Sequence, residues 1–197
     1  MVYLLLKNIR QIILIISTLL LAACSSSPIS IQLQPELSSN QTTAPLMSKT
    51  IWEVSSQDHR IAQYLIEVTK GEKAATLINE SKSSRLIIEN SLQQQWSKHG
   101  LRFNADSADK INIQLIKLLA KVEQNTVTHN IDSEIVIKVE LSTKKQIFSK
   151  IFTSHLTKEG AFTANIKKVN EQLNIQLSQL LNEIIQDPQL NAKLQQL

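Results

Sequence analysis

The chain has 197 residues, enough for one domain with its own hydrophobic core and short for two. Its hydrophobic and charged contents, 42% and 19%, are ordinary for a globular protein, and only three glycines argue against a phosphate-binding loop. Lys7 and Arg10 lie in a segment that is expected to be removed, and without them 19 basic and 17 acidic residues remain. This net charge of +2 is too small to predict a nucleic acid or another polyanion as partner.

The first 23 residues have the features of a signal peptide. Lys7 and Arg10 form a basic n-region, and residues 12–21 form an apolar run broken only by Ser17 and Thr18. This run is about half of the roughly 20 residues that a membrane-spanning helix needs. An uncleaved membrane anchor is the alternative, and the short run disfavours it.

The residues around the single cysteine resemble a bacterial lipobox. Leu21, Ala22 and Ala23 directly precede Cys24, and small side chains fit the narrow subsites of a signal peptidase. A cysteine thiol is also the nucleophile that attack on a lipid donor requires. The resemblance implies a diacylglyceryl thioether on Cys24, cleavage before it and, as a rule, a third acyl chain on the new amine. Since each buried CH₂ contributes about 0.8 kcal/mol, two or three chains would anchor the protein at a membrane.

The predicted location and domain division follow from the lipobox. Ser25 stands where an aspartate would be the usual inner-membrane retention signal, so we predict the outer membrane, with the domain facing the periplasm. A plain secreted protein is a second alternative, and it would leave an unpaired thiol near its N-terminus. We expect a signal peptide over 1–23, an acylated N-terminus and tether over 24–28, and a single domain over 29–197.

The segments that follow the tether are predicted as short strands and loops. Strands are predicted over residues 29–34, 50–56, 61–70 and 74–78, and a polar loop over 37–48. The stretch 61–70 also fits a helix, because Ile61, Leu65 and Val68 lie at helical spacing. A clearer helix covers about 82–99, where Gly100 suits the C′ position and Leu101 can pack back on the last turn.

Three further strands are predicted after this helix. In the first strand, over 111–122, the apolar phase slips by one residue, which predicts a β-bulge near Leu115–Ile116. The other two strands cover 131–141 and 144–156; the latter has helical spacing as well, but its β-branched and aromatic side chains favour a strand.

The C-terminal part is predicted to be helical. Apolar residues from Ile166 to Ile184 recur at spacings of three and four, and Pro188 ends this helix. Asp187 can cap a final short helix carrying Leu190 and Leu194. The order of elements predicts an α+β domain with a mostly antiparallel sheet and two main helices packed on one face, after a cleaved lipoprotein signal peptide.

The chain resembles the YajG family of uncharacterised enterobacterial-type lipoproteins over nearly all of its mature length. The resemblance rests on the order and spacing of four segments behind the lipobox: Asp58-His59-Arg60, the helix Arg85–Gly100, Glu159-Gly160-Ala161-Phe162, and Asn165 with the helix after it. It implies a periplasm-facing lipoprotein of unknown activity, and it supplies no catalytic residues.

We predict no catalytic, cofactor or metal site, and we expect that the protein is not an enzyme. The histidines show no HExxH motif, no i+4 pairing and no second cysteine as partner; they are His59, His99, His129 and His155. His155 is interpreted as an ordinary residue on a sheet face.

Three other polar or aromatic features have a simple structural interpretation. Asp58 and Arg60 would point to the same side of an extended chain, and a surface ion pair or a turn-stabilising contact worth about 0–1 kcal/mol is favoured over a contact with a partner or ligand. Gly160 is expected to serve a backbone conformation that needs glycine, and Phe162 to make a core or cap contact. The lysine pairs 144–145 and 167–168 are expected to be solvated, near lipid headgroups.

The predicted anchor and the absence of catalytic motifs favour a protein-interaction or envelope-assembly module. Its partners would be the membrane, through the acyl chains on Cys24, and an envelope protein that shares the membrane surface. The alternative is a periplasmic carrier or sensor of an apolar, lipid-like ligand held between sheet and helices.

Overall fold

The computed structural model describes residues 30–37, 45, 46, 48 and 50–196. In chain order, these residues form strand β1 (Ser30–Ile31), β2 (Ile51–Asp58), β3 (Tyr64–Lys70), β4 (Thr76–Glu80), helix α1 (Ser84–Lys98), β5 (Arg102–Phe103), β6 (Lys110–Gln124), β7 (Thr128–Ser142), β8 (Ile147–Ala161), α2 (Ile166–Gln186) and α3 (Pro188–Gln196).

All of these strands belong to one mixed sheet built around β6. One edge of β6 pairs with β7, which in turn pairs with β8, and both pairings are antiparallel. The other edge of β6 pairs in parallel with β2 along its first half and with β3 along its second half. Beyond β2 lies β5, and beyond β3 lie β4 and then β1, so β1 and β8 occupy opposite edges of the sheet.

The predicted mostly antiparallel sheet is therefore wrong, although the protein is α+β. Four of the seven strand pairings are parallel: β1 with β4, β2 with β5, and both β2 and β3 with β6. The physical reason is a crossover connection. The connection from β3 to β6 passes through β4, α1 and β5, and it returns the chain so that β6 runs in the same direction as β2 and β3.

The predicted β-bulge is confirmed in the middle of β6. The register of the β6–β7 pairing shifts between Leu115 and Lys117, so Ile116 has no cross-strand partner. The extra residue keeps Leu118 on the buried face, in phase with Leu115. At the same level, residues 59–63 leave the other edge of the sheet, since β2 has ended and β3 has not begun. These residues explain why the strand predicted from residue 61 starts only at Tyr64.

Two predicted helix-terminal features are confirmed: the glycine that ends α1 and the aspartate that caps α3. Gly100 has a φ of +98°, its N–H donates to the carbonyl of Ser97, and the N–H of buried Leu101 donates to the carbonyl of Trp96. This is the Schellman arrangement that ends α1. At the other end of the domain, the Asp187 carboxylate accepts from the N–H of Leu190 at 2.8 Å and caps α3 as predicted.

The hydrophobic core lies between the sheet and the two longer helices. α1 packs against β2, α2 packs against β7 and β8, and the two helices contact each other, while the shorter α3 lies against α2. Within β7, every second residue from Ile131 to Leu141 is buried, which matches the half-buried strand that its sequence predicts. The space between sheet and helices is thus filled by side chains.

Candidate interaction surface

The strand β8 lies at an edge of the sheet and pairs only with β7 within the described residues. The N–H of Thr143 donates to the carbonyl of Gln146, and the N–H of Phe162 donates to the carbonyl of Val127. Partners in an antiparallel pair alternate between bonded and non-bonded positions. Both bonded residues, Gln146 and Phe162, are even-numbered, so the even-numbered residues of β8 bond to β7. The backbone N–H and C=O groups of the odd-numbered residues therefore point away from β7.

We call the outward backbone groups of the odd-numbered residues from Ile147 to Ala161 the β8 edge. In the part of the chain that the structure describes, these groups make no hydrogen bond. The side chains of the same residues are all exposed, and Ile147 and Ile151 reach 70% and 58% exposure. β8 has 15 residues without proline, and its pairing with β7 runs without a register shift. A long, regular edge of this kind is a template for pairing with another chain.

Phe162, which directly follows β8, has a backbone conformation that side chains rarely adopt. Its φ of 62° is the single positive φ outside glycine among the described residues. The N–H of Phe162 donates to the Val127 carbonyl at 2.8 Å, and the Nδ1–H of His129 donates to the Phe162 carbonyl, also at 2.8 Å. The Phe162 side chain is 75% exposed, so of the predicted core or cap contact the core contact is wrong. These bonds hold an aromatic ring in solvent at one end of the β8 edge.

Gly160 provides the space that lets His129 reach Phe162. His129 and Gly160 are cross-strand partners, and a Cβ added to Gly160 would lie 2.4 Å from Cε1 and 2.6 Å from Nε2 of the imidazole. Gly160 does not have a positive φ. The expectation that this position needs glycine for its backbone conformation is therefore wrong; the imidazole needs the room.

A double-mutant cycle on these two residues tests the arrangement. Gly160→Ala is expected to lower the free energy of unfolding by about 1–3 kcal/mol, because the new methyl group displaces the imidazole. His129→Ala removes one hydrogen bond and should cost about 1 kcal/mol. In a His129→Ala background, Gly160→Ala should cost much less, since the obstructing ring is gone. Urea unfolding of the four proteins measures the coupling, and strictly additive costs would contradict the predicted contact.

The segment of the chain that contains β8 is strongly basic. Residues 143–168 hold six lysines and one acidic residue, a net charge of +5, while the rest of the predicted mature chain holds 13 basic and 16 acidic residues. Lys150 pairs with Asp187 at 2.6 Å. The other five lysines are exposed, as was predicted for all of them except Lys158, and form no ion pair with any described residue; they are Lys144, Lys145, Lys158, Lys167 and Lys168.

The Asp58–Arg60 contact predicted from the sequence forms as a turn-stabilising contact, in which the backbone N–H of Arg60 donates to the Asp58 carboxylate at 3.1 Å, and not as a surface ion pair. The Arg60 side chain is only 1% exposed. Its Nε and Nη2 donate to the Asp58 carboxylate at 2.9 and 2.7 Å, and Nη2 also donates to Glu80 at 3.0 Å. Glu80 in turn accepts from the backbone N–H and the hydroxyl of Ser84, at the start of α1. The guanidinium thus joins the ends of β2 and β4 to the first turn of α1.

The charges in this cluster stabilise one another. The hydrogen bond from Arg60 holds the pKa of Asp58 below its ordinary value, against the opposing effect of burial. Burial alone would lower the pKa of Arg60, but the hydrogen bond to Asp58 and the charge of Glu80 outweigh it and raise that pKa. Arg60 is nearly inaccessible to solvent, and we therefore assign the cluster a structural role.

The histidines and the other candidate residues do not converge on one site. His155 lies on the exposed sheet face, as predicted, with its Nε2 2.7 Å from the Asp132 carboxylate, and the Nε2 of His59 is 3.0 Å from the Gln57 amide oxygen. No group of three metal-ligating side chains occurs among the described residues. Likewise, no described helix is long and apolar enough to cross a membrane.

An apolar cleft of about 410 Å³ lies where residues 59–63 leave the sheet. It is lined mainly by apolar side chains, with Lys117, Lys121 and Glu134 among its polar residues. Ile61, at its rim, is fully exposed. This cleft lies outside the space between sheet and helices in which the sequence analysis expected an apolar ligand.

The lipobox residues Leu21, Ala22, Ala23 and Cys24 lie outside the described residues, as do the signal peptide and the tether. The β8 edge and the exposed Phe162 were missed in the sequence analysis. The sequence does contain one signal for the position of Phe162. Counting the strand register outward from the Thr143–Gln146 turn places His129, which holds the Phe162 carbonyl, opposite Gly160.

Comparisons with known proteins identify a matching family, two relatives by sequence and a solved structure with a similar fold. A family model described as "Uncharacterized lipoprotein" matches residues 35–195. The uncharacterized lipoprotein YajG of Escherichia coli strain K12 is 24% identical over 183 residues, which cover 92% of this chain and 94% of that protein, and the YajG protein of E. coli O6:H1 gives the same values. A crystal structure of a Xanthomonas campestris protein of the DUF330 family has a TM-score of 0.60 at 12% identity, over 83% of this chain and 96% of that one, and shows similarity of fold alone.

Proposed function

Since the chain belongs to the YajG family of uncharacterized lipoproteins, we propose that it is a lipid-anchored interaction module whose domain binds an envelope protein along the β8 edge. The proposal covers a non-enzymatic role, in assembly or in holding a partner near the membrane. It extends the family assignment, predicted from the sequence and confirmed by the match, which by itself means a lipoprotein of unknown activity.

The proposed anchor is the set of acyl chains on Cys24, in the outer membrane with the domain facing the periplasm. Six peptide units separate Cys24 from Ser30, the first residue of β1, so at most about 21 Å of chain lies between the anchor and the sheet. β1 and β8 lie at opposite edges of the sheet. This arrangement supports the proposal, because the membrane would be attached near one edge while the other stays available to a partner.

The observation that carries the proposal is the length of the unpaired β8 edge. Fifteen residues of strand extend for about 50 Å, at roughly 3.4 Å per residue. An added strand gains main-chain hydrogen bonds of the kind that β-augmentation uses, and side chains on the two faces give selectivity. Phe162 adds an exposed aromatic ring at one end, and aromatic residues are enriched among the side chains that contribute most to binding.

Thr153→Pro is the variant that tests this proposal. Thr153 is an odd-numbered residue of β8, so its N–H points outward and is not needed for pairing with β7. Proline should remove a hydrogen-bond donor from the β8 edge and lower the yield of the partner at least about tenfold in cross-linking pull-downs from cells. Thr153→Val keeps the N–H and should recover the partner at the wild-type yield.

The controls separate loss of binding from loss of fold. Residues 1–29 fused to an unrelated domain report proteins captured through lipidation alone, and thermal unfolding reports whether Thr153→Pro is folded. Ile151→Pro, at the next outward position, replaces it if it is not. A folded proline variant that recovers the partner as well as Thr153→Val does would show that the β8 edge is not the binding surface.

The apolar cleft between residues 59–63 and β6 supports a second candidate function, carriage or sensing of a lipid-like ligand. Its volume of about 410 Å³ is within the common range for small-molecule sites. Native mass spectrometry of the protein, before and after incubation with oleate, would test it. A bound oleate that is lost in Leu119→Glu supports the carrier function, and an apo mass at every oleate concentration contradicts it.

A further inference from the structure

We propose that the β8 edge takes an extended segment of another protein in which acidic residues alternate with apolar or β-branched residues. This inference rests on the proposed function and specifies the chemistry of the partner. It follows from the different side chains that the two faces of β8 would present to an added strand.

The basic face of β8 would meet carboxylates of the added strand. Lys158 is an even-numbered residue of β8, and it lines a cleft of about 190 Å³ together with Lys168 from the first turn of α2. No acidic residue lines this cleft, and neither lysine forms an ion pair with a described residue. A carboxylate entering between the two ammonium groups would therefore complement a charge that the fold leaves uncompensated.

The opposite face of β8 has no charge of this kind along most of its length. Its odd-numbered residues begin with Ile147, Ser149, Ile151 and Thr153, and the two isoleucines are more than half exposed. Directly opposed side chains in neighbouring strands lie about 4.5–5.5 Å apart, and aliphatic or β-branched pairs stabilise such positions. Side chains that alternate with the acidic residues of the added strand would cover these isoleucines.

The same charges argue against a second copy of this chain as the occupant. Antiparallel pairing of two β8 edges brings together two stretches that each carry a net charge of +5. For example, the register that places Thr153 of one copy opposite His155 of the other also places Lys150 opposite Lys158, and this contact occurs twice in the pair. Like charges directly opposite each other destabilise a strand pair, whereas acidic residues at the same positions stabilise it.

The test measures binding of defined peptides to the full lipoprotein in phosphatidylcholine nanodiscs. The probe is a labelled ten-residue peptide of alternating Glu and Val, and the matched peptides replace each Glu by Gln or by Lys. Fluorescence anisotropy should show binding of the Glu peptide alone, weakening as salt screens the charges. Lys158→Glu with Lys168→Glu should weaken that binding by about tenfold or more. Lys73→Glu with Lys82→Glu, which changes the net charge equally at exposed sites outside residues 143–168, should alter it less than about twofold.

The outcomes separate this inference from the proposed function. Equal binding of the Glu and Gln peptides, or no effect of charge reversal at Lys158 and Lys168, would overturn the acidic partner, whereas the proline test in cells reports on the β8 edge itself. Phosphatidylglycerol vesicles, added to the protein in phosphatidylcholine nanodiscs, provide the other anionic surface. If the Glu peptide does not bind and the protein instead binds vesicles of phosphatidylglycerol through Lys158 and Lys168, the patch recognises membrane and the inference is wrong.

Discussion

Cys24→Ala is expected to abolish lipid attachment, to leave the leader uncleaved or mis-processed, and to change how the protein fractionates after leader removal. The substitution removes the only thiol in the chain, and no other side chain at that position can accept the diacylglyceryl group. Since each buried CH₂ contributes about 0.8 kcal/mol to membrane binding, loss of two or three acyl chains removes the anchoring free energy that the lipid supplies. Metabolic labelling with a fatty-acid probe, followed by fractionation of membranes, measures these effects.

The matched control is Ser26→Ala, which changes the tether but leaves Leu21 to Cys24 intact. This control should be labelled and fractionate like the wild type. The unfolding midpoint of the domain should be the same for both variants, because Cys24 precedes the first strand of the sheet. Equal fatty-acid labelling of wild type and Cys24→Ala would remove the basis for the predicted anchor.

Arg60→Met is expected to lower the free energy of unfolding by about 3–5 kcal/mol, the largest effect on stability that we predict for a single substitution. Methionine fills much of the space of the arginine stem, but it leaves Asp58 and Glu80 without the cation they share. Lys110→Met is the control, because that side chain is 52% exposed and pairs with Glu53 at 3.0 Å. It should cost about 1 kcal/mol or less. Urea unfolding at neutral pH compares the two; equal costs would contradict the buried pair.

The pH dependence of the same variants provides an independent check. The pKa of Asp58 is depressed in the folded protein, so its contribution to stability is present above the ordinary carboxyl pKa and is lost as pH falls through the depressed value. In Arg60→Met, Asp58 has lost the hydrogen bond that depresses its pKa, so lowering the pH costs the variant less than it costs the wild type. The difference in unfolding free energy between wild type and variant should therefore shrink as the pH is lowered from 7 to 3. A constant difference over that range would show that charge pairing is not the cause.

Features encoded by neighbouring residues could be predicted from the sequence. The end of α1 at Gly100, the bulge after Leu115 and the Asp187 cap of α3 each depend on a few adjacent positions, and the structure has all three. Local spacing determines these features because their hydrogen bonds close within one turn or one strand pair.

Features that depend on contacts between distant segments could not be predicted in the same way. The parallel pairing of β2 and β3 with β6 requires knowing that the connection through β4, α1 and β5 is a crossover, and alternating apolar residues look the same in both directions. Arg60 lies in a buried cluster with Glu80, which in turn accepts from Ser84, and both of these residues follow β3 in the chain. An Asp-x-Arg sequence does not indicate these contacts. The free edge of β8 is likewise a property of strand order, which no single strand encodes.

Site-specific photo-cross-linking in living cells tests the central proposal most directly, because it requires no change in the backbone. A photoreactive amino acid would replace Ile151 or Thr153 on the β8 edge, and Asn90 on the exposed face of α1 as control, in the full lipoprotein. Adducts of one defined mass from Ile151 and Thr153, absent from Asn90, are predicted, and Ile151 adducts should disappear when Thr153→Pro is added. Adducts of the same mass and yield from Asn90, or none from the β8 positions, would contradict the proposal that this protein binds its partner along β8.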